Sequence, residues 1–157
     1  MSETEDTEEA ILDDMVSLIV DALGLTDAEV DTVEEDGALI TTVSGEDLGL
    51  FIGRHGQTID AVQHLAQRAV ATFTGEQRRV VVDAEGYRER RREVLQRQAD
   101  EAADEACRLD RPVPLEAMSA SERRLVHEFL RDREDVETHS EGEGGDRRLV
   151  VSPAAAP

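Results

Sequence analysis

The chain has no tryptophan, no lysine, one cysteine and few aromatic side chains, 3% of its 157 residues. Each scarcity removes a class of function. With Cys107 alone there is no intramolecular disulfide and no multi-cysteine zinc site. With so few rings, a flat aromatic platform for stacking successive bases is not expected. His55, His64, His127 and His139 lack the two-His helical spacing of a metal site, so no metal is expected. There is no Gly-x-Ser-x-Gly elbow, Walker-type phosphate loop or dinucleotide fingerprint. The carboxylates are too numerous and diffuse to single out an acid–base pair. The chain therefore reads as a non-enzyme with no cofactor and no small-molecule substrate. No apolar run approaches membrane-spanning length, and residues 1–10 are acidic where a secretion signal is basic, so a cytoplasmic, non-spanning protein is expected.

Basic residues are also missing from a whole third of the chain. Residues 1–50 hold 16 acidic and no basic side chains, residues 51–97 hold 9 basic against 6 acidic, and residues 98–157 hold 8 basic against 15 acidic. The formal net charge is -20, and the only net-positive segment begins beside Gly53-Arg54-His55-Gly56. In that turn two glycines let a main chain pass close to a sugar-phosphate strand, the helix expected behind it offers unpaired N–H groups, and Arg54 adds charge. A strand-like apolar lead-in, residues 48–52, precedes it. A second Gly-x-x-Gly spacing at residues 142–145 lies in an acidic loop and reads as a hairpin connection.

The length suits one domain, or two small ones sharing a helix. Residues 1–9 read as an acidic disordered tail without an apolar anchor. Ile11, Leu12, Met15, Leu18, Ile19, Ala22 and Leu23 then recur at helical spacing up to Gly24. Residues 30–35 and 38–43 read as strands around an Asp36-Gly37 turn. Ile59, Val62, Ala66, Ala69, Val70 and Phe73 mark the inner face of the next helix, Gly75 stops it, and residues 78–83 form a buried strand. Residues 87–109 read as a long helix whose inner side holds Tyr87, Val94, Leu95, Ala99, Ala102, Ala103 and Ala106, with Cys107 among the alanines as a buried thiol. Glu85, Glu89 and Glu93 would pair with the arginines of its first turns. A short strand follows at 113–118, then a helix capped by Ser119 or Ser121 and running to about 131. Strands at 136–139 and 147–152 complete an α+β chain, with residues 154–157 as a disordered end.

Arg123 and His127 lie four apart on one side of that last helix, where a guanidinium and an imidazole together can clamp a phosphate. The spacing alone does not separate this from a solvated helix face. Arg147 and Arg148 open the final strand, so at most one of them joins any given surface.

Two motifs in order then carry a resemblance. Residues 49–63 resemble the KH motif, and Ser121-Glu122-Arg123-Arg124-Leu125-Val126-His127 resembles the Arg-three-His domain of single-stranded nucleic-acid binders. With residues 82–91 between them and residues 138–143 and 147–151 after them, the combination resembles the bacterial Jag family, also called KhpB or SpoIIIJ-associated RNA-binding proteins. The likeness covers roughly residues 30–153 and does not reach the extra N-terminal domain of some members. It implies a bacterial-type KH domain at 10–86, then a small α/β Arg-three-His domain at 87–153, bridged by the helix at 87–109. It also implies single-stranded RNA binding in the cytoplasm, often with a small KH-only partner, and post-transcriptional control linked to cell-envelope growth or division. By motif, Gly53, Arg54, His55, Gly56 and Gln57 would track the RNA backbone and Arg123 with His127 would form a second contact, with Arg124, Arg147 and Arg148 as further candidates. A competing expectation is an acidic protein-interaction adaptor with little RNA affinity.

Overall fold

In the computed structural model, which describes residues 2–155, the first helix, α1 (Ser2–Ala22), already includes the segment expected to be a disordered tail. The anchor is not apolar: Glu8 is only 3% exposed and ion-pairs with Arg78, which also reaches Glu34 at 2.8 Å. A carboxylate taken out of water needs such a partner, and this one lies seventy residues away in sequence. Leu12, Val16 and Val20 form the inward row of α1, while Leu18 faces out. Glu8→Gln keeps the shape and removes the charge. It is expected to cost about 1.5–3 kcal/mol in urea unfolding, the range for a hydrogen bond to a charged group.

α1 packs on a three-stranded sheet of order β1-β2-β3, made by β1 (Glu29–Glu35), β2 (Ala38–Ser44) and β3 (Arg79–Ala84). β1 and β2 are antiparallel, joined at Asp36 and Gly37, both with positive φ, as a tight hairpin between right-twisted strands demands. β2 and β3 are parallel, so the chain crosses over between them through a single-turn helix α2 (Gly49–Ile52) and the long α3 (Gln57–Thr74). The core joins Leu12, Val16 and Val20 to Leu39, Val43, Phe51, Ile59, Val62, Ala66, Val70, Val80 and Val82. Phe73 was expected in that row and is 74% exposed instead, because the row Ile59, Val62, Ala66, Val70 continues at helical spacing to Thr74. Thr74 donates its hydroxyl to the Val70 carbonyl, and Gly75 closes the helix with a left-handed cap.

The chain divides into two compact units, the first ending at Arg88 and the second beginning at Glu89. The division falls in the first turn of α4 (Tyr87–Leu109). In the first unit Tyr87 packs against the core just described, so it does not belong to the inner row expected of α4. Arg88 donates to Asp60 (2.9 Å), Gln63 (3.0 Å) and the Val82 carbonyl (2.8 Å), fastening the start of α4 to α3 and β3. The within-helix pairing expected of these arginines is seen at Arg92–Glu89, 3.7 Å apart.

The second unit is a sheet of order β4-β6-β5, entirely antiparallel, from β4 (Val113–Ala117), β5 (Val136–Glu141) and β6 (Arg148–Pro153). Its core contains Leu95, Ala99, Ala102, Ala103 and Ala106 of α4, Val126 and Leu130 of α5 (Ala120–Leu130), and Leu149 and Val151 of β6. Val94, expected in the inner row, is only half-buried at its edge. Cys107, expected among the alanines, is exposed: Ala103 and Ala106 fill the inward positions and the sulfur turns to Asp135 at 3.4 Å. Of the expected disordered end, Ala154 donates its amide to the Asp135 carbonyl, and residues 156 and 157 lie outside the described residues.

Asp135 also accepts from Arg133 at 2.6 Å, and that hydrogen bond lowers its carboxyl to about 2. A carboxyl lowered by folding contributes stability that is whole above its unfolded value, about 4, and is lost as pH falls toward the folded value. The stability difference between the native chain and Asp135→Asn is therefore expected to vanish between about pH 4 and pH 2, read by urea unfolding across that range.

Candidate nucleic-acid interface

The approach to the glycine turn is helical where a strand-like lead-in was expected. Leu48, Phe51 and Ile52 sit three and four positions apart, which gathers them on one face of a helical turn, while Leu50 points out and is 64% exposed. Phe51 is fully buried and anchors the turn. The Gly53 amide closes α2 on the Gly49 carbonyl at 2.9 Å. Arg54, His55 and Gly56 then form a 3-10 turn in which His55 takes the left-handed conformation (φ 53, ψ 28) and Gly56 follows it (φ 76, ψ 16).

These glycines serve the loop's own closure more directly than was expected from sequence. Gly53 lies at φ 74, ψ 176, where residues with a Cβ do not settle, and a Cβ there would stand 2.2 Å from Thr58 Oγ1. A Cβ at Gly56 would stand 3.0 Å from the Tyr87 ring. The turn delivers Arg54, exposed, and Gln57, exposed, at the start of the 18-residue α3, whose N-terminus has no side-chain cap. Uncapped first-turn amides and the positive end of a long helix, with a guanidinium beside them, suit an anionic backbone.

In the second unit the sequence dictates the helix start. Ser119 accepts from the Glu122 amide, and the Glu122 carboxylate accepts from the Ser119 amide, a reciprocal capping box. Glu122 also receives Arg91 of α4 at 2.7 Å, so Arg91, like Arg88, has a structural task. With that start fixed, Arg123 and His127 emerge on one flank of α5. Arg123 Nη1 donates to the Met118 carbonyl at 2.7 Å, which fixes the plane of its guanidinium. His127 Nδ1 meets the Thr138 hydroxyl of β5 at 2.6 Å, which orients the ring and leaves Nε2 for a ligand.

Between this flank of α5 and the ends of β5 and β6 is an open pocket of about 390 Å³. Arg123, Arg124, His127 and Arg147 line it together, joined by Thr138, His139 and Ser140. Its lining carries three arginines and two histidines and no carboxylate. Arg148 is not among them: it is paired across the strands with Glu141 and donates to it at 3.0 Å and 3.2 Å. Thr138, His139 and Ser140 belong to a segment, residues 138–143, that carries part of the resemblance, but none of the three was expected as a site residue. Their residue types alone assign them no role, and the packing of β5 beside α5 brings them to the pocket. Chemically the pocket offers planar guanidinium donors, imidazole nitrogens and hydroxyls, a donor-rich set for a phosphodiester and its ribose.

Among the described residues no cluster of His, Cys, Asp and Glu is arranged to hold a metal, and no helix is long and apolar enough to cross a membrane.

Residues 9–83 match the family model described as the KH domain of KhpA/KhpB, and residues 93–153 match that of the Arg-three-His (R-3-H) domain. The RNA-binding protein KhpB of Bacillus subtilis is 38% identical over 112 residues, which cover 70% of this chain and 54% of that protein. The RNA-binding protein KhpB of Clostridium symbiosum is 36% identical over 135 residues, covering 85% and 61% respectively. That of Lactiplantibacillus plantarum is 36% identical over 140 residues, covering 88% and 43%. The chain thus spans between 43% and 61% of the length of these relatives. A KH domain of the KhpA/KhpB kind followed by an Arg-three-His domain, together with the similarity to these relatives, places the chain in the bacterial Jag, or KhpB, family.

Proposed function

We propose that this chain is a non-enzymatic regulator that binds single-stranded RNA through two modules, acting in the cytoplasm on post-transcriptional control of cell-envelope growth or division. The same proposal includes a small KH-only protein as a working partner. One observation carries the RNA reading: in a chain with 37 acidic residues, the pocket beside α5 is lined by three arginines and two histidines and by no carboxylate. The relatives named RNA-binding proteins support it.

In this reading the turn at residues 53–57 holds the sugar-phosphate backbone of a few nucleotides, with the α3 N-terminus and Arg54 facing phosphate oxygens. The bases splay away from it. In the second module Arg123 presents its remaining N–H groups to a phosphate, and His127, held by Thr138, adds one donor when protonated or one contact through Nε2. Affinity then comes from a few placed groups and not from bulk attraction. A slope of about -2 to -3 in log affinity against log salt is expected, corresponding to roughly three or four neutralised phosphates on a single strand.

Fluorescence anisotropy with a labelled single-stranded RNA at three salt concentrations measures both points. Arg54→Asp with His55→Asp is expected to weaken binding at least about tenfold by placing two carboxylates where a phosphate must pass. RNA binding unchanged in that variant overturns the role of the turn.

A further inference from the structure

α5 has a second flank. With 100° between successive residues, Arg123 and His127 fall on the side facing β5, while Leu125, Glu128 and Phe129 fall on the side facing α4, and Arg124 stands on the ridge between them. Arg124 accordingly lines both the pocket already described and a groove of about 510 Å³ between α4 and α5. From α4, Arg92 and Gln96, one helical turn apart, form the opposite wall of that groove.

From these placements we infer that the α4–α5 groove is a base-binding subsite, taking an unstacked nucleobase of the same RNA strand whose phosphate occupies the α5–β5 pocket. The inference rests on the reading of that pocket as a phosphate site. Its strongest ground is the floor. Phe129 keeps 36% of its surface exposed and lines the groove together with Arg92 and Arg124. An exposed ring flanked by guanidinium groups offers a face on which any base stacks, and Arg92 and Arg124 supply the cationic side.

Continuity is the second ground. A strand leaving the phosphate pocket over α5 meets Arg124 first and then the groove, without crossing to another element. Polar groups set a preference. The Gln96 amide both donates and accepts, whereas Glu128, which Arg124 holds below the usual carboxylate range by a 2.9 Å hydrogen bond, only accepts. The Arg124–Glu128 pair is open to solvent, so an incoming base can compete for it. An acceptor in that position suits the exposed exocyclic amines of adenine, cytosine and guanine over uracil, whose one donor, the ring N3–H, is recessed between two carbonyl groups.

Anisotropy with short oligo(A), oligo(C) and oligo(U) tests this on the full chain. The native protein is expected to bind the A and C strands several-fold more tightly than U, and Glu128→Gln to narrow that ratio to within about twofold, because an amide also donates. Phe129→Ser is expected to weaken all three by about fivefold or more. A thermal melt checks its folding, and Arg92→Ser, at an exposed position, gives the same readout if the Phe129 variant unfolds. Native-like affinity in both variants, with Arg123→Ala still weakened, overturns the subsite while leaving the phosphate pocket standing. Native-like affinity in Arg123→Ala overturns both.

Discussion

Gly53→Ala is expected to destabilise the first unit by about 3 kcal/mol, lowering its urea midpoint while leaving the second unit's transition in place. Two effects add. At φ 74 and ψ 176 any residue with a Cβ is strained, by about 1–3 kcal/mol. The new methyl would also stand 2.2 Å from Thr58 Oγ1 and 2.8 Å from the Thr58 backbone nitrogen, a contact that side-chain rotation alone does not relieve. Gly75→Ala separates the two effects. Gly75 has a similar φ of 75 but nothing within 4 Å of a would-be Cβ, so it should show left-handed strain alone, about 1 kcal/mol. Adding Thr58→Ala to Gly53→Ala should recover only part of the loss, since the backbone contact and the strain remain. Equal costs at Gly53 and Gly75 would show that the loop has room for a side chain, contrary to the geometry.

Arg123→Ala with His127→Ala should reduce affinity for single-stranded RNA by about 2–4 kcal/mol, roughly thirtyfold or more, with little change in thermal stability. Both side chains line the pocket, and neither belongs to the core of the second unit. The loss should shrink as salt rises, because part of it is phosphate neutralisation. Arg148→Ala is the matched control. It removes one arginine a single position beyond Arg147, yet its partner is Glu141 and it does not line the pocket, so affinity should hold within about twofold. A large loss at Arg148 would mean that overall charge, not placement, sets affinity.

Much of the fold was legible because local signals agreed with one another. The valine run of β3, the Asp36-Gly37 turn, the glycine stop at Gly75 and the Ser119–Glu122 capping box each carry their own physics within a few residues. What was illegible depended on distant partners or on competing periods. Nothing near Glu8 announces that Arg78 buries it. Leu48, Phe51 and Ile52 fit a short strand as readily as a helical turn, and the closure onto Gly53 decides between them. Phe73 and Cys107 each stand one position from an inward row, and a 100° step is enough to expose them.

The same contrast runs through the candidate site. Both arginines were expected to open the final strand on opposite faces; β6 begins at Arg148, Arg147 stands just before it in extended conformation, and only Arg147 lines the pocket. Arg123 and His127 were visible as a pair, but the hydroxyl that orients the histidine comes from Thr138, eleven residues on, which the motif-level likeness of residues 138–143 did not pick out as a partner. The glycines of the turn were visible too. Their reason was only partly so, because Thr58 and Tyr87 close in on them from α3 and α4.

Ultraviolet crosslinking of single-stranded RNA to the full chain, with the adducts mapped to peptides, tests the central claim most directly. Adducts are predicted in residues 53–57 and in the segments around residues 120–127 and 138–147, competed away by unlabelled single strands and lost at the second site in the Arg123→Ala, His127→Ala variant. RNA adducts absent from both regions, with the acidic face of residues 1–50 instead capturing a basic protein, would contradict the account.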